Sequence, residues 1–90
     1  MNLRLATLSD CFFFKFWYGD RILGGINCQG EIFVQLQTFP TQRQDRAYEV
    51  GSLLAAQVER ALLIKGKDQY ILGATLRGQG WLPFLVDLQE

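Results

Sequence analysis

Apolar and polar positions change rhythm twice along this chain, and the changes mark its elements. Leu3 to Thr7 alternates weakly and predicts a short first strand. Phe12 to Tyr18 is an aromatic run, too β-prone for an exposed helix, and predicts a strong second strand. Gly19-Asp20 and Gln29-Gly30 are two-residue, glycine-bearing breaks of the kind that close hairpins. Between and after them Arg21 to Asn27 and Glu31 to Phe39 read as strands. The first half is therefore an expected β-meander.

After Pro40 the period lengthens. Ala47, Val50, Leu54, Val58, Ala61 and Leu62 recur at helical spacing, Thr41 and Gln44 match a capping box, and Gly66 offers a stop. This predicts one long helix over about 42–65, roughly 36 Å at 1.5 Å per residue. Gln69 to Leu76 and Trp81 to Leu88 then read as a C-terminal β-hairpin turning at Gly78-Gln79-Gly80. Pro83 cannot donate to a ladder, which puts that last strand at an edge or a bulge. The expected class is α+β: an antiparallel β-meander with the helix packed on one sheet face, in a single domain over 1–90.

Two-residue turns also predict register. With Gly19-Asp20 as the turn, paired residue numbers sum to 39, so Trp17 faces Ile22, Phe13 faces Ile26 and Cys11 faces Cys28. With Gln29-Gly30 as the next turn they sum to 59, so Gly25 faces Val34 and Leu23 faces Leu36. One face then collects Phe12, Phe14, Phe16, Tyr18, Leu23, Ile32, Val34 and Leu36, and is expected to lie under the helix. The other collects Phe13, Lys15, Trp17, Ile22, Ile26, Phe33, Gln35 and Gln37, large apolar groups mixed with one cation and two amides.

Composition narrows the function. The chain has 90 residues, 49% hydrophobic and 20% charged, which is an ordered globule of marginal size. Nine basic residues balance nine acidic ones, so no net field draws it to nucleic acid or an anionic membrane. No histidine is present, which removes the commonest general base and metal ligand. The N-terminal stretch lacks the long apolar core of a signal peptide, and no apolar run approaches the ~20 residues of a membrane helix. A soluble, cytoplasmic protein is expected.

Candidate chemistry is sparse. Cys11 and Cys28 are expected cross-strand neighbours within disulfide reach, otherwise small apolar fillers. Two thiols without histidine do not complete a zinc site, so no metal and no cofactor are expected. Arg77-Gly78-Gln79-Gly80 does not lead into a helix, which argues against a phosphate loop. Ser9 and Ser52 lack a histidine base, and nothing supports an enzyme.

The informative surface is the second face, with Phe13, Lys15, Trp17, Ile22, Ile26, Phe33 and Gln35 as its candidate binding residues. It admits three readings: coverage by another element of the chain, association with a second copy or a protein partner, and base stacking with single-stranded nucleic acid. A lone Lys15 makes nucleic acid the weaker partner. The expected function is a small non-enzymatic adaptor or regulatory subunit that associates through its sheet, as a homo-oligomer or with a protein partner. Single-stranded nucleic-acid binding is the alternative, and an enzyme with its site at a subunit interface is the weaker one.

Overall fold

Six strands share one mixed sheet in the computed structural model, which describes residues 3–86. They are β1 (Leu3–Thr7), β2 (Cys11–Tyr18), β3 (Arg21–Cys28), β4 (Glu31–Pro40), β5 (Ala61–Lys65) and β6 (Gln69–Thr75). The single α-helix among the described residues, α1 (Gln44–Ala55), follows a 3₁₀ turn at Thr41–Arg43. The strand order is β1-β5-β6-β4-β3-β2, with β1 and β5 parallel and every other pair antiparallel.

The meander forms as its turns dictate. Gly19 takes φ +65°, and Gln29 and Gly30 take +54° and +89°, the left-handed backbone that two-residue hairpins need. Pairing runs without a bulge from Tyr18–Arg21 to Cys11–Cys28, straight through Gly24 and Gly25. In β3–β4 it holds from Cys28–Glu31 to Gly25–Val34. The expected Leu23–Leu36 pair does not form. A bulge between Gln35 and Gln37 offsets β4, and the Leu36 carbonyl accepts instead from the Val86 N–H at 3.0 Å. The bulge also turns Gln37 to the helix face, where its Nε2 donates to the Phe84 carbonyl at 2.7 Å.

The helix is half the expected length. It stops at Ala55, and residues 61–65, expected as its last turns, are strand β5. Ala61, Leu62, Leu63 and Ile64 are buried on both faces of the sheet, which a central strand permits and one side of a helix does not. Leu62 and Ile64 join one cluster, Ala61 and Leu63 the other. Gly66 ends the β5–β6 hairpin, its N–H bonded to the Gln69 carbonyl, rather than a helix. No side-chain capping box forms at Thr41; its backbone N–H reaches the Asp68 carbonyl at 3.3 Å. The C-terminal hairpin is also replaced. Beyond β6 the chain enters a 3₁₀ turn at Leu82–Phe84, with Pro83 in its first positions, and the Leu88 end of the expected strand lies outside the described residues.

The helix buries Ala47, Val50, Gly51, Leu54 and Ala55 at i, i+3, i+4 spacing against β4, β5, β6 and β1. Twelve residues make about 18 Å of helix, too short to cover six strands. Trp81, Phe84 and Leu85 cover part of the remainder beside Tyr18 and Leu36. The Trp81 ring meets Tyr18 edge-on at 5.3 Å, and its indole N–H donates to the Gly78 carbonyl.

The central part of the opposite face is buried by curvature. β1 and β2 are the two edges of the sheet, yet only the 3₁₀ turn Leu8–Asp10 joins them. Six flat strands would hold their edges about 24 Å apart, and the four steps from Thr7 to Cys11 reach about 14 Å at most. The sheet must therefore curl. The Asp10 carboxylate fixes the corner by accepting from the Thr7 N–H and hydroxyl, and the Cys11 thiol donates to the Thr7 carbonyl at 3.6 Å. Inside the curl Ile26, Cys28, Phe33, Leu62, Ile64 and Ile71 form a second core, with Ala6 and Cys11 against it. At its mouth Arg4 reaches from β1 to Glu31 and to the Gln29 side-chain oxygen, and Arg60 adds a 2.9 Å pair to the same Glu31 oxygen.

Candidate functional site

β2 carries eight residues, Cys-Phe-Phe-Phe-Lys-Phe-Trp-Tyr, at the edge of the sheet. Alternation sends Phe12, Phe14, Phe16 and Tyr18 to the helix side, and Cys11, Phe13, Lys15 and Trp17 to the concave side. Neither side is fully covered. Phe12 is 77% exposed, Trp17 70%, Phe13 43% and Phe14 40%. Ile22 on β3 and Ile32 on β4 extend the apolar surface to the neighbouring strands. Natural edge strands are usually blunted by charges, proline or a bulge; β2 has Lys15 alone.

The structure divides the seven expected binding residues. Phe13, Lys15, Trp17 and Ile22 are exposed and lie side by side on the β2–β3 hairpin. Ile26 and Phe33 are fully buried in the core of the curl, so they are removed from any contact surface. Gln35 is partly buried beside Gly24, where an added Cβ would meet its Oε1 at 2.9 Å. Phe12, Phe14 and Ile32, expected beneath the helix, stand open instead. A shorter helix is the reason, and the apolar Leu62–Ile64 run is the sequence signal for it.

The cysteines are directly paired across β2–β3 and unbonded. Cys28 is buried and Cys11 half-buried. The Cys11 thiol is pushed up to about 12, first by burial and then by the neighbouring Cys28 thiol. It is therefore a thiol, not a nucleophilic thiolate, at neutral pH.

Other surfaces offer less. An open groove of about 540 Å³ runs between Glu31, Ile32, Arg60, Thr75 and Arg77. Its cations are already engaged, Arg60 by Glu31 and Arg77 by Glu59 at 3.5 Å. Among the described residues no cluster of three His, Cys, Asp or Glu side chains is placed to hold a metal ion. Among the same residues no helix is long and apolar enough to cross a membrane. Comparison with protein-family models, with curated proteins and with solved structures finds no match to this chain.

Proposed function

We propose that this chain is a non-enzymatic association module, an adaptor or regulatory subunit whose binding element is strand β2. The observation that carries the reading is the exposure of Phe12, Phe13, Phe14 and Trp17 on one edge strand of a fold whose other aromatics are buried or half-buried. Exposed apolar patches of this kind favour association, and aromatic residues supply most of the energy at interface centres. The reading places the protein in the reducing cytoplasm, where the directly paired Cys11 and Cys28 stay thiols.

Trp17→Ala tests it. At a binding surface this change weakens association by about 2 kcal/mol or more and leaves the fold intact. Binding isotherms with captured partners, read beside circular dichroism, supply both numbers. Partner binding that is unchanged by the substitution sinks the reading. Binding to single-stranded oligonucleotides that falls steeply with salt would replace it with the nucleic-acid alternative.

A further inference from the structure

We infer that the partner of β2 is β2 of a second copy of this chain, joined antiparallel so that Phe14 lies across the two-fold axis from itself. This rests on the association reading above and names its occupant. The backbone supplies the first argument. In the β2–β3 hairpin Tyr18–Arg21 closes the turn as a hydrogen-bonded pair, and such pairs alternate with non-bonded ones. Phe12, Phe14 and Phe16 therefore spend their backbone groups on β3. Those of Phe13, Lys15 and Trp17 point outward, and Cys11 confirms the phase, its N–H turning away from β3 to the Leu8 carbonyl. The outward groups form a row of donors and acceptors ready for another strand.

The side chains then select the register. A two-fold that continues the sheet places even residues opposite even and odd opposite odd, since a one-residue slip would put each side chain on the wrong face. Two such registers overlap β2 almost fully. One sets Lys15 opposite Lys15 of the second copy, and directly opposed like charges destabilise a pair. The other sets Phe14 on the axis, Phe12 opposite Phe16, and Lys15 opposite Phe13, where the ammonium meets an aromatic face. Both Lys15–Phe13 pairs then exchange their outward backbone hydrogen bonds. The edge strand is self-complementary in that register.

Area supports the same occupant. Each aromatic side chain carries about 150–250 Å², so the exposed parts of Phe12, Phe13, Phe14 and Trp17 amount to roughly 500 Å² per chain. Two copies would bury at most about 1,000 Å², the lower bound for a specific interface. The contact is isologous and consumes the β2 edge of both copies, so it closes as a dimer.

The test uses the full chain. Sedimentation at micromolar concentration is expected to give a dimer, and Lys15→Pro a monomer with an unchanged far-ultraviolet spectrum. Proline at that position removes only an outward N–H and leaves the β2–β3 ladder whole. Phe14→Cys, made with Cys11→Ser and Cys28→Ser, is expected to crosslink with oxidised glutathione. Two thiols there form one interchain disulfide, their hydrogens leaving as two molecules of reduced glutathione. Lys15→Cys in the same background is expected to crosslink at least tenfold more slowly. A monomeric wild-type chain, a dimer that survives Lys15→Pro, or preferential crosslinking at position 15 would each overturn the inference. A monomer whose partner binding still depends on Trp17 overturns this inference alone and leaves the association reading standing.

Discussion

The ring of Phe14 occupies the space above Gly25, its direct partner across β2–β3; a Cβ built there would lie 2.4 Å from two of the ring carbons. The glycine weakens the strand by its lack of a side chain, and the aromatic ring from the next strand compensates. Gly25→Ala is expected to lift the ring into solvent and to cost about 1–3 kcal/mol, as overpacking does. Thermal melts measure the cost. An unchanged melting temperature would show that the ring does not shield this site.

The two tryptophans are expected to behave oppositely. Trp81 is fully buried against Tyr18, so Trp81→Ala should cost about 3–5 kcal/mol, a large share of a small domain's stability. Trp17→Ala should change the stability of the isolated chain by about 0.5 kcal/mol or less. Denaturant titrations of the two variants, made where the chain is monomeric, check the contrast.

Glu31 holds Arg4 and Arg60 together at the mouth of the curl, at 3.4 and 2.9 Å. Glu31→Gln leaves two guanidinium groups facing a neutral amide. A loss of about 1 kcal/mol is expected at low ionic strength, shrinking in 1 M salt, where the screening length is about 3 Å. A loss independent of salt would assign the role of Glu31 to packing.

The cysteine pair gives a fourth expectation. Mild oxidation should remove two hydrogens from the monomer, with no interchain product through these thiols, because the partners lie in one hairpin. The reaction should be slow at neutral pH, since the Cys11 thiol is held up near 12. Its ordinary value is 9.0, so the stability the protonated thiol contributes is complete below pH 9 and lost as the pH rises toward about 12. Cys11→Ala should flatten that part of the stability curve. Mass spectrometry and alkaline unfolding read the two outcomes.

Local pairing is legible in the sequence. Two glycine-bearing turns determine the β2–β3 register over its whole length and the β3–β4 register up to Val34, because each residue's partner follows by counting from the turn. Pairing between distant segments is not legible in this way. Ala61 and Leu62 fit a helical period, and no glycine or proline stands between Ser52 and Lys65 to end the helix. Their strand character comes from pairing with β1 on one side and β6 on the other.

The exposed aromatic surface is legible in part for the same reason. Alternation placed Phe13 and Trp17 on their face, whereas the exposure of Phe12 and Phe14 depends on where α1 ends. The burial of Ile26 and Phe33 depends on a curl that the short β1–β2 link requires.

The parallel pairing of β1 with β5 bears on the order in which the chain assembles. Every residue of β1 meets a partner 58 positions later, Leu3 with Ala61 and Thr7 with Lys65, whereas β2, β3 and β4 join through adjacent turns. Loop closure disfavours the distant pairing until intervening contacts have formed. The first strand in the sequence is therefore expected to be the last seated. On a ribosome it would wait, already synthesised, for β5 to emerge and close the seam.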